Sequence, residues 1–135
     1  MKNLLFHLLL ILGNAADAQH MIYIDHSYQS MKESIAEDGN YIDKEEEHKG
    51  QLVVTLLSKE NPERVALLFF KKGECITNAV FYNDMFKFNN AIEDYNKYFV
   101  VLSNKSWRVF SNGNSYKASV ESTKENRFYI LWIKE

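Results

Sequence analysis

The chain has 135 residues, a mass of 15.8 kDa and a formal net charge of -2, which allows one domain of ordinary size. Apolar residues make up 46% and charged residues 25%, so the composition is that of a globular protein and not of a disordered one. The single cysteine excludes a disulfide-stapled miniprotein. A sequence pI near 6.1 argues against nucleic acid as the main partner.

The N-terminus has the three parts of a secretory signal peptide, which we place at residues 1–18. A lysine near the start is followed by a nine-residue apolar stretch from Leu4 to Leu12, and Ala16 and Ala18 form the small-residue pair that precedes a cleavage site. We predict cleavage between Ala18 and Gln19. Because the apolar stretch is too short to cross about 30 Å of hydrocarbon, no transmembrane span is expected after cleavage. The alternative for this segment is a buried N-terminal helix or strand.

Cleavage would leave residues 19–135 as a single α+β domain with Cys75 as its one cysteine. Lysine outnumbers arginine 13 to 3, and asparagine occurs 13 times, which is typical of an AT-rich bacterial genome. We therefore expect a protein exported to a bacterial periplasm or to the cell exterior. With one cysteine, no internal disulfide can form in that oxidising environment.

The short apolar run at residues 21–24 could form an edge strand, and the first helix of the mature chain is predicted at residues 27–38. Tyr28, Met31 and Ile35 recur at intervals that place them on one helical face. Gly39 suits the left-handed position that often follows a helix.

The polar stretch at residues 43–50, with Glu45, Glu46 and Glu47 at its centre, is expected to be a solvated connection. Three meander strands are predicted after it, and Lys72-Gly73 marks a tight turn between the second and the third. Their bounds are residues 51–57, 64–71 and 74–82.

A second helix is predicted from Met85, with Asn83 or Asp84 as its cap. Residues 98–102 already have strand character, so Phe99 can belong to either element. The helix carries a sustained apolar stripe, made of Met85, Phe88, Ile92, Tyr95 and Phe99.

Asn112-Gly113 is the strongest hairpin signal in the chain. A two-residue turn there pairs Val109 with Tyr116. It also sets Arg108 opposite Lys117, a like-charge pair that is unfavourable unless that face of the sheet is wet or Glu121 lies diagonal to the pair. The strands of this half are predicted at residues 107–111, 115–121 and 127–134.

These elements predict an α+β fold: a mainly antiparallel sheet of about six strands with two helices packed on one face, in the order α-β-β-β-α-β-β-β. The order is compatible with a duplication of an αβββ unit, and Ile35 with Ile92 and Tyr41 with Tyr98 repeat at the same spacing of 57 residues. In topology alone it resembles the repeats of β-lactamase inhibitor proteins and of small outer-membrane assembly factors. No motif of either family accompanies the likeness, so it implies no functional residue.

The side chains that could carry chemistry have simpler interpretations. Cys75 lies in an alternating strand pattern and is expected to be buried and inert. His20, Asp25 and His26 are metal-ligand types at close range, but no further ligands follow at a spacing typical of zinc. The motifs of P-loop, dinucleotide, serine-hydrolase and zinc-peptidase sites do not occur in the sequence. We therefore predict no catalytic residue, no metal and no cofactor.

The predicted function is that of an exported, non-enzymatic domain that binds a protein or ligand in the bacterial periplasm or outside the cell. Two alternatives stay open: a small exported hydrolase whose residues converge only in the fold, and an envelope structural or assembly protein. A deep cleft with polar side chains of shifted pKa would favour the hydrolase. An uncut signal sequence would favour the envelope protein.

Two predicted strands, at residues 64–71 and 127–134, are apolar on both sides. An antiparallel sheet with one wet face should instead alternate apolar and polar residues. Two helices can cover only one face of such a sheet, so the second apolar face must contact something else. We predict an interface with a second copy, an apolar ligand or another protein, and its residues are Phe69, Phe70, Leu131 and Trp132. Sheet curvature or the N-terminal segment could cover that face instead.

Overall fold

A computed structural model describes residues 23–135, and its elements follow the order α-β-β-β-β-α-β-β-β-β. The predicted signal sequence, its cleavage site between Ala18 and Gln19, and His20 lie outside the described residues. Helix α1 spans Tyr28–Ile35 and helix α2 spans Met85–Tyr98. The strands are β1 (Asn40–His48), β2 (Gln51–Ser58), β3 (Arg64–Lys71), β4 (Glu74–Tyr82), β5 (Val100–Ser103), β6 (Ser106–Ser111), β7 (Asn114–Ser122) and β8 (Phe128–Lys134).

The eight strands form one sheet with the order β1-β2-β3-β4-β8-β7-β6-β5, and each neighbouring pair is antiparallel. Each half of the described chain forms a four-stranded meander, and the two meanders join through β4 and β8. The predicted α+β class and the mainly antiparallel sheet are confirmed. The predicted count of about six strands is wrong, because each half has four strands instead of three.

Strand β1 occupies most of the segment for which the sequence predicts a solvated connection, residues 43–50. It pairs with β2 from Asn40 beside Ser58 to His48 beside Gln51. The acidic run within it is exposed, so this edge strand lacks the apolar alternation by which strands are recognised in a sequence. Charges on an edge strand also discourage other chains from pairing with it.

Strand β5 is the second strand that was not expected as a separate element, and it follows α2 almost directly. Its first residue, Val100, pairs with Arg108 of β6. Phe99 is the C-cap of α2, and its ring centre lies 4.8 Å from that of Tyr95 and 6.0 Å from that of Trp132. Phe99 therefore anchors the junction between helix and strand.

Helix α1 has eight residues and is shorter than the predicted helix at residues 27–38. Ser27 caps its start, because the Ser27 hydroxyl accepts a hydrogen bond of 3.0 Å from the Ser30 N–H. At its other end Gly39 has a φ of 74°, a left-handed conformation that favours glycine. The chain therefore reverses soon after Ile35 and enters β1.

Ring contacts of both helices fall on one face of the sheet, which we call the helix face. Tyr28 of α1 packs edge-on against Phe70, and Tyr95 of α2 packs in the same way against Trp107 and Trp132. The central strands are thus covered on this side. The core between the layers includes Met31, Val54, Leu56, Leu68, Val80, Tyr95, Trp107, Ile130 and Trp132.

The hairpin at Asn112-Gly113 forms as predicted. Val109 pairs with Tyr116, and the two turn residues have φ of 51° and 78°, as a type I′ turn requires. The Lys72-Gly73 turn is likewise confirmed, with φ of 52° and 81°.

The two halves repeat an αββββ unit rather than the αβββ unit suggested by the sequence. The two helix N-caps are Ser27 and Asp84, which have the same spacing of 57 residues noted above. The identity of Ile35 with Ile92 fits this repeat, since Ile35 lies in α1 and Ile92 in α2. The repeat is therefore visible in the topology and in the helices.

The second identity does not fit the same repeat. Tyr41 is a residue of β1, whereas Tyr98 is the last residue of α2. Their shared spacing thus joins a strand residue to a helix residue, because α2 is longer than α1.

Candidate binding surface

The face of the sheet opposite the helices, which we call the open face, is apolar over its centre. Along β3, Ala66, Leu68 and Phe70 point towards the helices and are at most 3% exposed, while the residues between them are partly exposed on the other side. The apolar side chains at the centre of the open face are Val53, Leu57, Val65, Leu67, Phe69, Ala79, Phe81, Tyr129, Leu131 and Ile133.

The strand registers arrange this face in three rows that run across the sheet. In the middle row, Leu67 of β3 lies beside Ala79 of β4, which lies beside Leu131 of β8. The first row contains Val65, Phe81 and Tyr129, and the third row contains Phe69, Thr77 and Ile133.

A shallow depression of about 320 Å³ lies at the centre of the open face. Ala79 forms its floor, because the side chain is small and only 4% exposed. Leu67, Phe69 and Leu131 stand around it. Concave sites lined in this way are typical of places where proteins bind apolar groups.

An aromatic pair borders the depression on the side of the first row. The rings of Phe81 and Tyr129 stack with centres 4.8 Å apart and planes at 25°. The guanidinium of Arg127 lies 5.1 Å from the centre of the Phe81 ring and donates a hydrogen bond to the Asn83 side-chain oxygen. A cation–π contact and a hydrogen bond thus hold the same guanidinium in place, so this border of the surface is preformed.

Charged strands border the apolar centre on both sides. On β1, Lys44 and Glu46 lie on the open face and form a salt bridge of 2.9 Å. On β7, Lys117, Ser119 and Glu121 continue the third, middle and first rows, respectively. An apolar centre with a polar rim is the arrangement of a protein interface.

The like-charge pair of Arg108 and Lys117 forms as predicted, and Glu135 compensates it. Arg108 donates two hydrogen bonds to the Glu135 carboxylate, at 2.6 and 2.7 Å, and the Ser115 hydroxyl donates another at 2.7 Å. The hydrogen bonds from Arg108 and Ser115 lower the pKa of Glu135 to about 2. The charge of Arg108 is therefore neutralised at the surface.

The four residues of the predicted interface divide between the two faces of the sheet. Phe69 and Leu131 line the depression, whereas Phe70 and Trp132 are core residues, 3% and 0% exposed. Adjacent strand residues point to opposite faces, so Phe70 and Trp132 are unable to reach a partner on the open face. The alternation of side chains along a strand is enough to separate Phe69 from Phe70 and Leu131 from Trp132. The charged borders on β1 and β7 depend on the register between strands, which the sequence does not reveal.

A polar cleft lies where the segment before α1 meets the β6–β7 turn. The His26 Nδ1 atom is 3.2 Å from the Ser30 hydroxyl. The Asp25 carboxylate accepts a hydrogen bond of 3.3 Å from Tyr116 and forms a salt bridge of 2.9 Å with Lys134. In a serine-hydrolase site, a carboxylate orients the histidine. The Asp25 carboxylate beside His26 is instead shared by Tyr116 and Lys134 of the sheet. These contacts fasten the segment to β7 and β8.

The prediction that Cys75 is buried is confirmed, since it is 1% exposed. Its thiol lies 3.1 Å from the Asn78 side-chain oxygen, and burial raises the pKa of Cys75 to about 12. A nucleophilic cysteine needs a thiolate near neutral pH, so this position does not suit one. Among residues 23–135, no three His, Cys, Asp or Glu side chains are grouped closely enough to hold a metal ion.

Comparison of the chain with models of known protein families, with curated proteins and with solved structures found no match. In the described part of the chain, neither helix combines the length and apolar character needed to cross a membrane.

Proposed function

We propose that this protein is an exported, non-enzymatic binding module of the bacterial periplasm or cell exterior, and that the open face is its recognition surface. The observation that carries the proposal is the apolar centre of the open face on a sheet whose other face already holds the core. A sheet with one solvated face normally presents polar residues there. Contiguous apolar surface on a soluble protein usually marks a contact.

The chemistry of the surface supports binding rather than catalysis. The depression is lined by aliphatic and aromatic side chains, by the hydroxyls of Thr77 and Thr123 and by the amide of Gln51. Acid–base catalysis needs titratable groups beside the reacting atoms, and the charged groups of this face, such as Glu46 and Lys117, stand at its borders. Export is supported by the cationic, apolar and small-residue segments of residues 1–18.

The test of the recognition surface is site-specific photo-crosslinking in the cells that export the protein. A photoreactive amino acid at Thr77, inside the depression, should form an adduct of defined mass. The same amino acid at Phe86, which is 69% exposed on α2, is the matched control and should form none. Leu67→Glu, which places a charge beside the depression, should abolish the Thr77 adduct. Absence of any Thr77 adduct, or equal adducts from both positions, would contradict the proposal.

Export has its own test. Mass spectrometry of the protein purified from the exported fraction should find an N-terminus at Gln19. A stable cytosolic protein that still carries Met1 would overturn this part of the proposal, and an uncut exported protein would favour a membrane-associated envelope role.

A further inference from the structure

We propose that the occupant of the open face is a second copy of this chain, in a two-fold, face-to-face sandwich of sheets. This inference rests on the proposed function, because it takes the open face as the recognition surface and names its partner. A two-fold dimer requires a self-complementary surface, and the open face has that property in both shape and charge.

The position of the two-fold axis follows from the order of the strands. The apolar centre covers β2, β3, β4 and β8, and the charged borders are β1 on one side and β7 on the other. The middle of the apolar part is therefore between β3 and β4. A two-fold axis parallel to the strands at that place sets β3 over β4 of the copy, β2 over β8 and β1 over β7.

Shape complementarity comes from the middle row. Leu67 and Ala79 are register partners, so the axis brings Leu67 of each copy over Ala79 of the other. The leucine side chain then enters the depression whose floor is Ala79. In the neighbouring rows Phe69 meets Thr77 and Val65 meets Phe81 by the same rule. Large and small side chains thus interdigitate, as in the core of a β-sandwich.

Charge complementarity comes from the borders. From the third to the first row, β1 carries Glu46, Lys44 and Tyr41. In the same direction β7 carries Lys117, Ser119 and Glu121. With β1 over β7, the acidic end of one border faces the basic end of the other. Packed sheets cross at about 30°, which shifts the borders by about one row and leaves Glu46 and Lys117 within reach of each other.

The alternative axis, perpendicular to the strands, is less favourable. It would set β1 over β1 and β4 over β4 of the copy, so Lys44 would face Lys44 and Ala79 would face Ala79. Like charges would meet at the β1 border, although Lys117 would face Glu121 at the β7 border, and a void would remain at the centre. Another occupant, the N-terminal segment, has less support, because the described chain begins at Tyr23, whose hydroxyl bonds Asp38 and Asn40 on the helix side of the sheet.

The size of the surface sets the expected strength. Six strands about 4.8 Å apart and three rows about 6.8 Å apart give a footprint of about 29 by 20 Å, or about 600 Å² per copy. Two such surfaces bury about 1,200 Å², the lower end of specific interfaces. Weak and transient complexes have interfaces of this size, so we expect a reversible dimer with a dissociation constant of about micromolar.

The experiment is analytical ultracentrifugation of the mature protein from about 1 to 200 μM, which spans this affinity range. The wild type should show a monomer–dimer equilibrium. Leu67→Glu should weaken dimerisation at least about tenfold, while Phe86→Glu, the same kind of change outside the open face, should leave it unchanged.

Charge reversal gives a second, independent set of variants at exposed positions. Glu46→Lys and Lys117→Glu should each weaken the dimer about tenfold, and the double variant should recover most of the loss, because each residue faces the other across the interface. A dimer that is insensitive to Leu67→Glu, or single reversals without rescue in the double variant, would overturn the arrangement.

The outcomes separate this inference from the function on which it rests. A strict monomer at 200 μM, together with a Thr77 photo-adduct whose mass is not twice that of the chain, would overturn the second copy and keep the open face as a binding surface. A strict monomer without a specific Thr77 adduct would overturn both.

Discussion

Burial decides the reactivity of Cys75. Only the thiolate reacts rapidly with disulfide reagents, and burial raises the pKa of this thiol to about 12. At pH 8 we expect the native protein to be labelled at least about 100-fold more slowly than the unfolded chain, whose thiol has a pKa of about 8.5. Timed labelling with and without denaturant measures the ratio. Rapid labelling of the folded protein would contradict the core position of Cys75.

Gly113 shows a different constraint, which lies in the backbone alone. Its φ is 78° and a Cβ there would meet no atom within 4 Å, so a substitution costs conformational strain and no steric clash. Gly113→Val should lower the free energy of unfolding by about 1–2 kcal/mol. Urea denaturation measures the change.

The matched control for this turn is Gly113→Asn, because asparagine tolerates the left-handed conformation better than a β-branched residue. It should cost clearly less than Gly113→Val. Equal losses in the two variants would show that the turn type is not the cause.

At the scale of elements, the cap of α2 is a defined contribution to stability. The Asp84 carboxylate accepts a hydrogen bond of 2.8 Å from the Phe86 N–H. Asp84→Ala removes this acceptor and should cost about 1 kcal/mol. Asp84→Asn keeps an acceptor oxygen in the same place and should retain most of the stability in the same denaturation experiment. An equally large loss in Asp84→Asn would assign the effect to the charge and not to the cap.

The elements that could be predicted from the sequence are those with a local signal. The turns at Lys72-Gly73 and Asn112-Gly113 and the strands around them follow from turn chemistry and apolar runs. Strand β1 could not be recognised, because its pairing with β2 is a relation between two segments and its own residues are polar. Strand β5 was obscured by its direct junction with α2, at Phe99.

At the scale of the molecule, several buried acidic groups make the fold sensitive to alkali. Burial raises the pKa of the Cys75 thiol and of the Tyr23 and Tyr95 phenols above their unfolded values. Each therefore contributes stability that is fully present below its unfolded pKa, about 8.5 for the thiol and 10 for the phenols, and is lost as pH rises towards the folded pKa. The urea midpoint should be level near pH 7 and fall steadily above about pH 9.

Tyr95→Phe is the control for this pH dependence, because it removes the titrating group of a fully buried ring and keeps its shape. The variant should lose less stability between pH 9 and 11 than the wild type does. An unchanged slope would mean that other groups carry the alkaline transition.

Only part of the candidate site could be predicted from the sequence. That a second apolar face exists could be predicted, because β3 and β8 carry apolar residues at consecutive positions. Which residues share that face follows from strand alternation, which places Phe69 apart from Phe70. The registers between strands place Leu67 beside Ala79. They also determine the order of charges along the two borders. Those registers are set by cooperative packing of the whole sheet.

The joining of the two meanders through β4 and β8 has a consequence for how the chain folds. The other strand pairs connect neighbours in sequence, whereas Thr77 and Ile133 are partners across 56 residues of chain. Closing a loop of that length costs about 2 kcal/mol more conformational entropy than closing a five-residue loop. We therefore expect each meander to assemble early and formation of the β4–β8 ladder to limit the folding rate. Core substitutions along this ladder, at Val80 or Ile130, should slow refolding, whereas those in the outer hairpins should mainly accelerate unfolding.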